Sequence, residues 1–389
     1  MRLIPLSLIV KKSLKTLEHV EYGVLHLTTP EGKKITATGK KEGPEVNFII
    51  YDWEVVRGLL ERGDIAFGED YIEGKWECDD IEGLITFFLL NFVQFEKFAH
   101  GSLISRFFFN IYNRIINRNS KSGSKRNIQA HYDVGNDFYR LWLDKTMTYS
   151  SALFSEGSNS LEDAQIAKYS RILERIDNKK GSVLEIGCGW GGFAEEAAKQ
   201  NQRVTSLTIS PSQHKYALAR LGNNADIRLQ DYREIKGKFD AIVSIEMFEA
   251  VGERYWQTYF NKISEIMKKG GKAIIQTITM HDDFFDEYRK RSDFIRHYVF
   301  PGGMLPSLQR FHEEAAKAGL KCIDVFTFGE DYANTLRQWL KAFDAKRQEI
   351  LDLGYSEQFI RNWRFYLATC AAAFAVGRTN VAQIELVHA

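Results

Sequence analysis

The chain has 389 residues, of which 44% are hydrophobic and 26% charged, with a formal net charge of +1. That length allows two or three domains around sizeable cores. The near-neutral balance gives no general preference for polyanions, and no nucleic-acid partner is expected. Cys78, Cys188, Cys322 and Cys370 are far apart and form no C-x-x-C pair, which argues against a zinc ribbon or disulfide framework and suits a reducing compartment; no metal is expected.

The opening MRLIPLSLIVKKSLKTL reads as an amphipathic helix rather than a signal peptide, because no small-residue cleavage site follows it. No apolar run reaches the roughly 18–20 residues of a spanning helix, so the expectation is a cytoplasmic protein, peripheral at the inner membrane surface. Residues 1–95 carry strand-like runs, YGVLHLTTP (22–30) and VNFIIYD (46–52), then a helical WEVVRGLLERG (53–63). They predict a small α+β domain.

Aromatic residues then recur at helical spacing through LITFFLLNFVQFEKF and LISRFFFNIYNRIINR. From Lys97 to Ala130 there are seven Lys or Arg and no Asp or Glu. Residues 96–130 are therefore read as a basic amphipathic helical linker. Such a segment lies in an anionic membrane interface or packs as a helical hairpin with its basic groups solvated; both readings stay open.

Residues 131–389 alternate strand and helix. Strands are predicted at SVLEIG (182–187), RVTSLTIS (203–210), DIRLQD (226–231), FDAIVSIE (239–246) and KAIIQTIT (272–279), with helices at 193–200, 211–221 and 255–269. KCIDVFTF (321–328), a helical region over 331–377 and a last strand, VAQIELVHA (381–389), complete the chain. This is a doubly wound α/β pattern with a final antiparallel strand. The aromatics of FDEYRKRSDFIRHYVF (285–300) are read as lining a lipid tunnel or as a packed helical lid.

The first of these strands runs into a turn, VLEIGCGWGGF (183–193). Gly187, Gly189 and Gly191 let the backbone turn sharply and approach a ligand. A dinucleotide site needs an acid at the end of the second strand, where Thr208 and Ser210 stand, and a P-loop needs Gly-Lys-Ser/Thr, where Phe193 and Ala194 stand. S-adenosylmethionine remains, with Asp231 for the adenine amine and Tyr232 for its face. Methyl transfer from a sulfonium is chiefly positioning and charge complementarity.

HYDVGNDFYRLWLDKTMTYSSALF (131–154), LEIGCGWGGFAEEAA (184–198), TISPSQ (208–213), LQDYRE (229–234), MFEAVG (247–252) and YVFPGGMLPS (298–307) together resemble the cyclopropane-fatty-acyl-phospholipid synthase family, which includes the mycolic acid cyclopropane synthases. GDIAFGEDYIEGKWEC (63–78) looks more loosely like the family's lipid-binding, sterol-carrier-like N-terminal domain. The resemblance implies a Rossmann-like class I methyltransferase sheet over 131–389. It also implies an enzyme that adds the methyl carbon of S-adenosylmethionine to a cis double bond of an unsaturated phospholipid acyl chain. A bound bicarbonate then removes a proton so that a cyclopropane ring closes, and the family extends the expectation to a homodimer. Carried over by position, the cofactor contacts are Tyr149, Ser150, Gly187, Gly189, Thr208, Gln213, Asp231 and Tyr232. The bicarbonate cage falls on Ser151, Glu249, Gln276, Ile278 and Tyr332.

Two of those five depart from the family pattern, which has Cys at 151 and His at 276. Ser and Gln still donate hydrogen bonds, but Gln does not titrate. Methyl transfer with a methyl- or methylene-branched product is therefore an alternative to ring closure. A non-catalytic lipid- or cofactor-binding relative and methylation of a small soluble acceptor are the readings from other classes. Glu249, just after a buried strand, is read as catalytic because ligands of such sheets bind at the carboxyl ends of strands.

Overall fold

The computed structural model describes residues 5–92, 134–154, 160–176 and 181–389. The basic linker and the first residues of the 131–154 motif lie outside the described residues. The chain divides into two compact units that interleave in sequence.

The first unit contains the described N-terminal residues together with Lys290–Val299 and Arg347–Gly377, two segments that lie within the expected 131–389 domain. Its strands are β1 (Tyr22–Thr28), β2 (Lys34–Thr38), β3 (Lys41–Ile50) and β4 (Trp76–Cys78), in sheet order β2-β1-β3-β4. Helices α1 (Leu6–Thr16), α2 (Glu54–Arg62), α3 (Asp64–Ile72) and α4 (Ile81–Leu90) accompany them. The alternating burial of β1 places Leu25 and Leu27 on the core side. Asp80 caps α4 by accepting from the Gly83 N–H. The core is aromatic: Trp76 stacks on Phe67 at 4.3 Å between centroids and donates its indole N–H to the Phe67 carbonyl. Phe294 and Phe365 meet edge to face at 4.7 Å in the same unit.

The second unit carries a seven-stranded sheet in the order β10-β11-β9-β8-β5-β6-β7. Its strands are β5 (Ser182–Ile186), β6 (Arg203–Thr208), β7 (Asp226–Leu229), β8 (Phe239–Ile245), β9 (Met267–Met280), β10 (Leu320–Thr327) and β11 (Thr379–His388). The pairings from β7 to β9 are parallel, and β11 is antiparallel to both its neighbours. The predicted final strand inserts between β9 and β10. Its run Val381–Leu386 is buried throughout, as a strand covered on both faces requires. The helices of this unit are α5 (Asn136–Trp142), α6 (Leu161–Ile176), α7 (Gly192–Lys199), α8 (Pro211–Leu221), α9 (Trp256–Ile266), α10 (Asp282–Lys290), α11 (Leu308–Lys317) and α12 (Gly329–Ala345). Of the predicted helical region 331–377, only α12 belongs here; α13 (Arg347–Asp352) and α14 (Glu357–Ala375) belong to the first unit.

Strand order reverses beside β5, whose neighbours are β6 on one side and β8 on the other. The crevice outside the carboxyl ends at such a point is where doubly wound sheets bind ligands. The glycine turn, Thr208, Asp231, Glu246 and Glu249 all follow or end strands on that edge. Of the aromatics expected to line a tunnel, Phe285 packs against Trp256 and Phe294 against Phe365, each within a protein core. Among the described residues, no helix is long and apolar enough to cross a membrane.

Candidate active site

The turn after β5 takes the shape the glycines predict. Gly187, Gly189 and Gly191 have φ of 88°, 51° and 89°, the left-handed region that favours glycine. A Cβ at Gly187 would come within 3.0 Å of Met247, whereas one at Gly189 would enter open space. That cradle lies over the carboxyl end of β5, as close backbone approach to a ligand requires. At the end of β6 the Thr208 hydroxyl donates to Gln213 Oε1 at 3.0 Å and accepts from the Ser210 N–H at 3.1 Å. Tyr149 sits among Tyr139, Trp142 and Trp339, with ring centroids 5.2–5.8 Å away. Trp190, from the glycine turn, lies 5.0 Å from Tyr139. These π faces suit a sulfonium or a carbocation. Asp231, expected at the adenine amine, accepts from Arg233 Nε at 2.9 Å and Nη2 at 2.6 Å. Tyr232 is half-buried against Tyr259. The open cradle and the paired hydroxyl and amide fit S-adenosylmethionine; Gly187, Gly189, Thr208, Gln213, Tyr149 and Ser150 would hold it, with Asp231 and Tyr232 beyond the end of β7.

The five residues assigned to the anion cage do not converge on one vacant point. They divide between two carboxylates. Glu246, one residue beyond β8, accepts from the Ser151 backbone N–H at 2.9 Å and from Gln276 Nε2 at 2.8 Å, both on Oε1, while its Oε2 accepts from the Tyr332 hydroxyl at 2.6 Å. Glu249 accepts from the Thr277 hydroxyl at 3.0 Å and from the Ile278 N–H at 2.5 Å, both on Oε1. Among the described residues no donor reaches Glu249 Oε2. The Ser151 hydroxyl is not part of the cage, since it donates to the Ala152 carbonyl. Residue 151 thus contributes through its backbone, so the departure from Cys to Ser leaves this contact intact.

Each donor is held from behind. Gln276 is fully buried on β9, where its Oε1 accepts from Gln383 of β11 at 3.0 Å. That contact turns the Gln276 amide NH2 toward Glu246. The Glu246 N–H in turn donates to the Gln276 carbonyl at 2.8 Å, extending the β8–β9 ladder by one residue. The first turns of α12 grip the 151–154 segment: Thr335 Oγ1 accepts from the Ala152 N–H and Asp331 from the Phe154 N–H. Tyr332 projects from the same turns.

Burial raises the pKa of both carboxyls. For Glu249 the shift reaches about 8, with the neighbouring Glu246 charge as the second cause. For Glu246 the Tyr332 hydrogen bond, the Lys168 charge, the Ser151 N–H and the Gln276 amide all oppose burial. Three donors on Glu246 against two on Glu249 favour Glu246 as the charged member of the pair. Lys168, fully buried on α6, is pushed down to about 7 by burial. Its Nζ donates to Ser150 Oγ at 2.7 Å and Gln165 Oε1 at 2.6 Å, and Gln165 Nε2 donates to the Ser150 carbonyl at 2.9 Å. Sequence reading passes over both Glu246 and Lys168. The available signals were a carboxylate at the last position of a strand and a lysine within the apolar stripe of α6.

The donors expected to bind bicarbonate are thus taken by protein carboxylates, and a further anion would add a charge beside the Glu246–Glu249 pair. The site as built does not fit it.

The family model described as mycolic acid cyclopropane synthetase matches residues 119–384. The chain belongs to this family. It is 34% identical over 368 residues to the tuberculostearic acid methyltransferase of Mycobacterium tuberculosis, covering 91% of this chain and 86% of the relative. It is 36% identical over 324 residues to the cyclopropane-fatty-acyl-phospholipid synthase of Escherichia coli, covering 81% of each. A solved mycolic acid cyclopropane synthase, complexed with SAH and CTAB, superposes with a TM-score of 0.63 at 31% identity, over 67% of this chain and 97% of that one. The protein is an S-adenosylmethionine-dependent methyltransferase of the cyclopropane synthase family, with the class I fold that the sheet order displays.

Proposed function

We propose that this enzyme methylates the cis double bond of an unsaturated fatty acyl chain in a membrane phospholipid and closes a cyclopropane ring. When bound, S-adenosylmethionine supplies an electrophilic methyl group on a positively charged sulfur. The observation that carries the reading is the buried carboxylate Glu246, held by three donors at the sheet edge that bears the glycine cradle. An alkene that accepts a methyl group becomes a carbocation and must lose a proton from carbon. It therefore needs a base shielded from water and π faces to stabilise the cation. Tyr139, Trp142, Tyr149, Trp190 and Trp339 supply such faces. A small amine or hydroxyl acceptor would form no carbocation to be shielded from water.

The family membership and the Escherichia coli relative named for phospholipid cyclopropanation support the substrate class. The basic charge of the 96–130 sequence supports peripheral docking at an anionic bilayer. A second reading, a methyl- or methylene-branched product, is favoured by Gln276, which stands where the family has a titrating His, and by the relative named for tuberculostearic acid.

The test is incubation of the protein with methyl-labelled S-adenosylmethionine and liposomes of monounsaturated phospholipid, followed by fragmentation of the labelled acyl chains. A saturated ring supports the first reading, and an olefinic branch the second. Absence of label in lipid, with label in a soluble acceptor, refutes both.

A further inference from the structure

Glu246 has a feature that packing alone does not explain: its backbone φ is 49°. This is the left-handed region, where glycine is unstrained and a residue with a side chain is not. A carboxylate is therefore kept at a position whose backbone would be more comfortable without a side chain. Its oxygens engage three donors, Ser151 N–H, Gln276 Nε2 and Tyr332 OH, of which the last two belong to the set assigned above to a bound anion and the first to the same residue. A second carboxyl, Glu249, occupies the remaining donor, the Ile278 N–H.

We propose that the Glu246 carboxylate is the resident base of this enzyme, occupying the place of a dissociable anion and making turnover independent of bicarbonate. The inference rests on the acyl-methylation reading. In the step assigned to it, a C–H bond of the newly added methyl group breaks. The proton passes to a Glu246 oxygen, and the C–H electron pair forms the third ring bond to the cationic carbon. The neutral carboxyl returns its proton to water after product release. No co-reactant is consumed. The Tyr332 hydroxyl and Gln276 amide hold the carboxylate in place, and Glu249 sits beside it on the Ile278 N–H.

A fixed base differs from a diffusible one in a measurable way. Two variants and two readouts separate the alternatives. Glu246→Gly relieves the backbone and opens a cavity facing the same donors; Glu246→Gln keeps the volume but removes the charge. Calorimetry with sodium bicarbonate reads anion binding without turnover: the wild type shows none, and Glu246→Gly gains it. Turnover is measured on monounsaturated phospholipid liposomes in CO2-depleted buffer, with and without added bicarbonate. The wild type is unaffected by the anion. Both variants fall by about 10²-fold or more, the usual range for loss of a general base, and bicarbonate restores Glu246→Gly but not Glu246→Gln. Bicarbonate binding to the wild type, a bicarbonate requirement of the wild type, or full activity of Glu246→Gln each overturns the proposal. No turnover on any unsaturated lipid, with calorimetry as expected, instead overturns the acyl-methylation reading; the base role falls with it and only the resident anion stands.

Discussion

Gln383 faces Gln276 across the β9–β11 register and donates its side-chain amide N–H to Gln276 Oε1 at 3.0 Å. Gln383 is itself oriented by Arg171, whose Nη1 donates to its Oε1. The chain Arg171–Gln383–Gln276–Glu246 has one polarity: each link donates toward the carboxylate. Gln383 touches no reacting group; it is a positioning residue.

Gln383→Leu removes the contact that decides which way the Gln276 amide points. A flipped amide would aim its oxygen at Glu246. The expected result is a fall in kcat of about tenfold, corresponding to one buried hydrogen bond of roughly 1–2 kcal/mol, with KM for S-adenosylmethionine unchanged. Gln383→Glu retains a partner for Arg171 but accepts from Gln276, which inverts the amide. Steady-state kinetics should find Gln383→Glu no better than Gln383→Leu. Recovery by the Glu variant would show that Gln383 serves only to pair Arg171.

Gly187→Ala acts on the cofactor cradle. The added methyl meets Met247 at 3.0 Å, on a backbone with φ of 88°. Such strain costs on the order of 1–3 kcal/mol and displaces the loop. Calorimetry with S-adenosylhomocysteine should record affinity weakened by about tenfold or more, the factor that 1.4 kcal/mol gives. Unchanged affinity would place the cofactor away from this turn.

Much of this site can be read in the sequence because it sits on contiguous strand–turn units. The glycine turn, the strand ends at Thr208 and Asp231, and the last antiparallel strand follow from local pattern. The role of Glu246 does not. It lies three residues before the motif carboxylate Glu249, and only the β8–β9 register shows that it adjoins Gln276. The Ser151 departure likewise looks consequential in sequence, yet the contact is made by the backbone N–H. Lys168 falls at a helical position between Ala164 and Ile172, both buried; its place in that stripe is a local signal, but lysines there ordinarily snorkel to water, and the partner Ser150 is set by the fold. The grouping of 290–299 and 347–377 with the N-terminal strands depends on long-range aromatic packing that periodicity does not encode.

Gly68 marks that packing in the first unit. A Cβ there would lie 2.4 Å from the Phe294 ring and 2.8 Å from Phe365. Neither ring has free volume to retreat into, since both are fully buried. Overpacking of this kind costs typically about 1–3 kcal/mol and sometimes more. Gly68→Ala should lower the thermal midpoint by several degrees and speed proteolysis within the first unit, as read by melting curves and by mass spectrometry of the fragments. A melting curve that superposes on the wild type would show that the Phe294–Phe365 contact is loose in solution.

Glu249 gives the site a pH signature. Its folded pKa is raised from 4.5 to about 8, so between those values the folded state holds a proton that the unfolded chain releases. The slope of stability with pH is then negative: its contribution is fully present below pH 4.5 and is lost as pH rises through about 8. Lys168 has the opposite sign. Its pKa is lowered from 10.5 to about 7, so the unfolded chain binds the extra proton and stability gains with pH across that interval. Glu249→Gln removes the first effect and leaves the second. Melting temperatures measured from pH 5 to 8 should decline less steeply in Glu249→Gln than in wild type, without becoming flat, because Glu185 is also raised, to about 7. Lys168→Met should abolish the gain above pH 7. Parallel pH profiles for wild type and Glu249→Gln would mean that Glu249 is ionised at neutral pH, placing two negative charges side by side at the end of β8.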